Sequence, residues 1–202
     1  MLHELYALEI GYAVSDFLIT DAVLAGSLDS GGRKSDEKLL IAEADGAADV
    51  ALYLEQELLD RLAEHDPLTH LDGENLADFW AALEGVSHFT YYAWNAARDK
   101  SVSLFELELQ AEVDNFVTTA KLLREQTGRE PSGLHGWLFD SPTLSAELDG
   151  EERERYRRAN RYAAKFCSRL PSAGAAVAAA QRELRHFYRL SQGSKLAHID
   201  GH

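Results

Sequence analysis

Glu84 and His88 lie four residues apart in a stretch of helical periodicity, and Glu108 and Glu112 lie four apart in the next. That spacing puts each pair on one side of its helix, near enough to share a ligand or a hydrogen bond. Carboxylate oxygens with one imidazole form a donor set suited to manganese, iron or zinc, and Glu84, His88 and Glu112 are the candidate metal ligands. Tyr91 and Asn95 continue the stripe of Glu84 and His88 at steps of three and four, so Glu84, His88, Tyr91, Asn95, Glu108 and Glu112 make up the candidate ligand-binding set. The spacing departs from that of carboxylate-bridged two-iron bundles, which place a Glu-x-x-His pair on each of two helices, because only Glu183 and His186 stand in that relation here. The alternative for Glu84 and His88 is a satisfied polar contact between packed helices.

Two long helices must position these residues. In the first, Leu76, Phe79, Trp80, Leu83, Val86, Ser87, Thr90 and Trp94 recur at helical spacing and form one face, beside the Glu84 stripe. With two faces unlike a solvent face, this helix is expected to be central. Its aromatic residues (Trp80, Phe89, Tyr91, Tyr92, Trp94) read as core. Ser103 with Glu106 forms a capping box that opens the second helix, where Phe105, Leu109, Val113, Phe116, Ala120 and Leu123 share a face until Gly128 supplies the stop. The short connection between them implies an antiparallel hairpin.

Elsewhere the pattern divides the chain. Tyr6, Leu8, Ile10, Tyr12 and Val14 alternate with smaller or polar residues, which predicts a strand, continued at residues 17 to 20. Residues 27 to 38 read as a loop. Leu39 to Ala44 and Val50 to Leu54 flank Asp45-Gly46, a strong hairpin signal because both turn residues tolerate positive φ. A short helix precedes Asp66-Pro67. One or two helical turns are expected in residues 129 to 150, one of them starting at Pro142 after a Ser141 cap. Helices over 151–170 and 173–190 follow, then a loose tail over 193–202. The expected fold is α+β: a single domain with a small antiparallel sheet of about three strands in residues 1–54, packed on about five helices in residues 55–192.

The 202 residues suffice for one core, and 46% hydrophobic with 27% charged residues is a globular composition. The opening MLHELYALEIGYAV lacks the form of a secretory signal and no apolar run reaches membrane-spanning length, so a cytoplasmic protein without a membrane contact is expected. The single cysteine, Cys167, fits a reducing compartment and reads as a packing residue. Phosphate-binding and nucleophile-elbow signatures are absent.

Net charge is −14, yet residues 151–202 hold 11 Lys+Arg against 5 Asp+Glu. The basic end therefore faces an acidic body, within the chain, in a second copy or in a protein partner. Overall acidity argues against a general nucleic-acid binder. Arg153, Arg157, Arg158 and Arg161 share a helix face that suits an acidic partner. Two functions follow as expectations: a non-enzymatic intracellular adaptor working through protein contacts, or a metal- or small-molecule-binding helical protein with a site between the two long helices. No particular cofactor is named by the sequence.

Overall fold

The computed structural model describes residues 1–29, 35–44, 47–129, 133–140, 148–171 and 177–201. Nine α-helices and three strands occur among the described residues, so the α+β class holds while the helices outnumber the expected five. In chain order they are α1 (Leu2–Tyr6), β1 (Leu18–Ile19), α2 (Ala22–Leu28), β2 (Glu37–Ala44), β3 (Ala47–Leu54), α3 (Gln56–Glu64), α4 (Leu76–Ala96), α5 (Leu104–Thr127), α6 (Leu134–Phe139), α7 (Gly150–Cys167), α8 (Val177–Arg189) and α9 (Gln192–Asp200). None of the described helices is long and apolar enough to cross a membrane.

The strongest local signals produced the expected elements. Strands β2 and β3 pair antiparallel with Ala44 opposite Ala47; the turn residues 45–46 lie outside the described residues. Ser103 caps α5 with its hydroxyl accepting from the Glu106 amide, and the Glu106 carboxylate accepts from the Ser103 amide in return. Gly128 ends α5 at a φ of 70°, where a side chain would be strained.

Three expectations are corrected. The strand over Tyr6 to Val14 does not form. Leu2 to Tyr6 is helical and Ala7 closes that turn in the left-handed region at a φ of 49°. Burial does alternate from Leu8 to Val14, so the period-2 pattern reports an irregular segment lying on the core, bent at Gly11 and Tyr12 and entering a 3-10 turn over Val14–Phe17. The sheet is mixed, ordered β1-β3-β2, because β1 runs parallel to β3 and only β2 with β3 is antiparallel. Over the described part of the expected loose tail 193–202, α9 docks with Lys195 and Ile199 fully buried, a tertiary effect that its polar composition conceals. The helix expected at Pro142 falls outside the described residues.

The sheet, α4, α5 and α7 succeed one another as packed neighbours. Leu52, Leu54, Leu58, Phe89 and Ala93 form the small core between β3 and one face of α4, while the larger core lies among the helices. Gly85 sets the approach of α4 to the sheet. A Cβ there would come within 2.9 Å of Leu52 Cδ1, 3.2 Å of Leu54 Cδ2 and 3.1 Å of Glu37 Oε2.

Two stability predictions follow from this packing. Gly85→Leu should destabilise by about 1–3 kcal/mol in a urea titration, overpacking outweighing a helix-propensity gain of about 1 kcal/mol. Ile199→Ala should cost roughly 2–5 kcal/mol; an unchanged midpoint would mean that α9 contributes nothing to the core.

Candidate functional site

Four elements converge around His88. Its imidazole is 7% exposed and lies between two carboxylates: Nδ1 is 3.9 Å from Glu37 Oε2 on β2, and Nε2 is 3.8 Å from Glu108 Oε2 on α5. Both separations are too long for a hydrogen bond, and Nε2 is buried without one. Glu84, one turn before His88, completes a trio in which Glu37, Glu84 and His88 each bring a ligand atom to within 4.8 Å of the others. From α7, Arg155 Nε stands 3.7 Å from Glu108 Oε1 and also makes no hydrogen bond. The Tyr156 hydroxyl faces Glu108 and the Asn160 amide faces Glu112.

Burial sets the protonation of this group. Taking carboxyls out of water favours their neutral form. Desolvation pushes Glu84 up to about 7 and Glu112 up to about 8, the latter assisted by the Glu84 charge. Glu108 is raised well above the carboxylate range by burial first and by Glu84 and Glu37 next, with Arg155 opposing. His88 is lowered to about 4 by burial. At neutral pH the imidazole is thus uncharged, the state a metal ligand requires.

Of the residues expected from sequence, Glu84, His88, Glu108 and Glu112 share this site. Tyr91 and Asn95 belong elsewhere. The Tyr91 hydroxyl donates to Glu106 Oε1 at 3.5 Å and its ring packs on Tyr188, while Asn95 Nδ2 donates to the Tyr91 carbonyl at 2.8 Å. They border a second buried network, in which Asp114 accepts from Tyr6, from Ser87 at 2.6 Å and from Gln110 at 2.9 Å, and Lys195 donates to Gln110 at 2.7 Å. The arginines of α7 do not gather on one target. Arg153 donates to the Leu148 carbonyl, Arg158 lies over the Phe105 ring, Arg161 pairs with Glu154, and Arg157 is exposed.

Sequence reasoning missed Glu37, Arg155, Tyr156 and Asn160. A signal existed for two of them: Tyr156 and Asn160 fall in the helical stripe of Ala159, Ala163, Phe166 and Cys167, so they are polar residues on the buried face of α7. Glu37 stands in a stretch that reads as loop and carries no such mark. No family model, curated protein or solved structure matches the chain.

The shifted carboxyls define a pH dependence. In the unfolded chain they ionise near 4.5, whereas the folded chain holds the protons of Glu84 and Glu112 until about 7 and 8. Between those values the unfolded state releases protons that the native state keeps, so stability falls as pH rises. His88 acts oppositely between 6.5 and about 4, but as one group against several carboxyls. Chelator-treated protein should melt at higher temperature at pH 5.5 than at pH 7.5, and Glu112→Gln should narrow that gap; a melting point that rises over this interval would contradict the assignment.

Proposed function

We propose that this protein binds a divalent transition metal, with Glu37, Glu84 and His88 as ligands and Glu108 orienting the imidazole from its other nitrogen. The observation that carries this reading is the Glu37/Glu84/His88 trio, whose ligand atoms lie within 4.8 Å of one another, with His88 Nδ1 3.9 Å from Glu37 Oε2. Two ligands of one metal, each about 2.1 Å from it at a near-tetrahedral angle, stand about 3.4 Å apart. The 3.9 Å between His88 Nδ1 and Glu37 Oε2 is nearer to that of co-ligands than to the roughly 2.9 Å of a hydrogen bond, while Nε2, on the opposite edge of the ring, faces Glu108, which would orient it. Without a cation, carboxyls and a buried imidazole crowd together in low dielectric, and burial keeps Glu84, Glu108 and Glu112 toward their protonated form. A cation reverses the sign of that interaction. Oxygen donors in excess of nitrogen favour manganese or iron over zinc. A bound metal would supply Lewis acidity and an activated water; Arg155, at the same carboxylate, would hold an oxyanion beside it.

Adaptor function through the basic helices draws less support, because Arg153, Arg158 and Arg161 already have partners within the chain.

Chelator-stripped protein titrated with Mn(II) in a calorimeter should bind the ion with proton release, more tightly at pH 8 than at pH 6. His88→Ala and Glu84→Gln should each weaken binding by at least about 100-fold, beyond the loss typical of an outer-shell partner. Unchanged affinity in His88→Ala would end this reading.

A further inference from the structure

The apolar stripe of α5 is covered over its first half and left open over its second. Phe105, Leu109 and Val113 are buried, whereas Phe116, Ala120 and Leu123, which continue the same stripe at steps of three and four, are only half-buried. Where the cover stops there is a cavity of about 420 Å³. Phe116 and Ala120 line it from α5, Leu5 from α1, Leu134 from α6, and Ala180 and Leu184 from α8. Helix α8 packs on α1, and the cavity lies between it and this half of α5. The volume is that of a small-molecule site, and covering its apolar wall is favourable by the same effect that assembles the core.

Charge narrows the class of occupant. Along α5 the lining runs Phe116, Val117 and Ala120, then Lys121 and Arg124, so the apolar wall ends in two cations. Among the described lining residues there is no carboxylate, in a chain with 34 acidic and 20 basic residues. Lys121 pairs with Glu125 at 2.6 Å, but the two side chains are 34% and 54% exposed, and an ion pair in that setting contributes little and yields to an incoming anion. His135 also lines the cavity. Its Nε2 stands 2.9 Å from the Ala164 carbonyl, which can only accept, so that nitrogen carries the proton and ties the ring to α7. A ligand matched to this order of groups has an apolar tail and an anionic head. The chain's own residues 172–176, which join Pro171 to Val177 at the cavity wall, are Ser-Ala-Gly-Ala-Ala and bring neither a long apolar side chain nor a negative charge.

We propose that this cavity binds a free fatty acid, with the acyl chain against the open half of the α5 stripe and α8 and the carboxylate held by Lys121 and Arg124. The site shares no lining residue with the carboxylate cluster around His88 and does not rest on the metal-binding reading.

The test titrates the full chain in a calorimeter with octanoate, decanoate and dodecanoate, each below its critical micelle concentration, and with decyltrimethylammonium, a cationic head on a tail of similar length. One carboxylate per chain is expected, with affinity rising about fourfold for each added methylene. The cationic amphiphile should bind at least about tenfold more weakly than decanoate, and Lys121→Gln should weaken decanoate by about fivefold. Ala180→Phe, which fills the cavity from α8, should abolish binding in a protein that still melts cooperatively. Equal binding of the two head groups overturns the proposal. So does absence of binding, the cavity then being closed by the chain itself, and so does binding that survives in folded Ala180→Phe, the ligand then sitting elsewhere. Should that variant not fold, Ala120→Leu fills the cavity from the α5 wall and is read in the same way, and the head-group and chain-length comparisons on the wild type hold in either case.

Discussion

Asp114 is a fully buried carboxyl on which the arrangement of four helices depends. It accepts hydrogen bonds from Tyr6 on α1, from Ser87 on α4 and from Gln110 one turn away on α5, and through Gln110 it reaches Lys195 on α9. Burial pushes it up to about 6, against hydrogen bonds from Ser87, Tyr6 and Gln110 that hold it down. Lys195 is likewise lowered to about 7 by burial, with Glu106 and Asp114 opposing, and its amine is 4.4 Å from the centre of the Tyr91 ring and 4.6 Å from that of Phe187. Apolar contacts would let α4 slide on α5 at little cost. Directional bonds to a buried acid do not, because each one broken leaves a polar group unsatisfied in low dielectric. Ser87 precedes His88, and Asp114 lies two residues beyond Glu112. The network therefore fixes the rotation and register of the two residue pairs that face each other next to it.

The carboxylate cluster is costly by comparison. Its acids are raised by desolvation and by one another, and three nitrogens around it lack hydrogen bonds. A domain that only needed to fold would gain by replacing these groups with apolar ones of similar size. The same helix pair carries one polar network rich in mutual hydrogen bonds and, a turn or two away, a cluster of like charges with few. Local rules are kept in the first and broken in the second. Gly85 serves the second cluster: lacking a side chain, it lets the sheet come close enough for Glu37 to reach His88 from β2.

How much of this the sequence discloses depends on the range of the interaction. Helices α3, α4 and α5 and the β2–β3 hairpin follow from period, cap and turn chemistry, all of which act within a few residues. The Glu84/His88 and Glu108/Glu112 pairs were legible for the same reason, since a four-residue spacing on two helices with a short connection nearly dictates their meeting. Glu37 was not, because its place depends on how the sheet docks on α4. Tyr91 and Asn95 share the sequence stripe of His88, but their contacts go to Glu106, Tyr188 and the Tyr91 carbonyl, which belong to the Asp114 side. The parallel pairing of β1 and the docking of α9 are long-range as well: nothing near Leu18 specifies its direction, and Lys195 is buried only because Gln110 and a ring cage receive it.

The charge asymmetry of the chain finds much of its explanation inside the fold. Arg155 lies against Glu108, Arg185 and Arg189 donate to carbonyls between Glu4 and Ala7, and Arg169 donates to the Ile199 carbonyl. Through Arg155, Arg185 and Arg189 the basic helices hold the backbone of the acidic body and one of its buried acids. Exposed ion pairs would contribute little and weaken with salt, whereas donors seated on carbonyls and a guanidinium beside a buried carboxylate act where screening is low. Arg155 then has two roles at once. It is a structural cation of α7 facing α5, and among the described residues around Glu108 it is the one whose charge favours the ionised carboxylate.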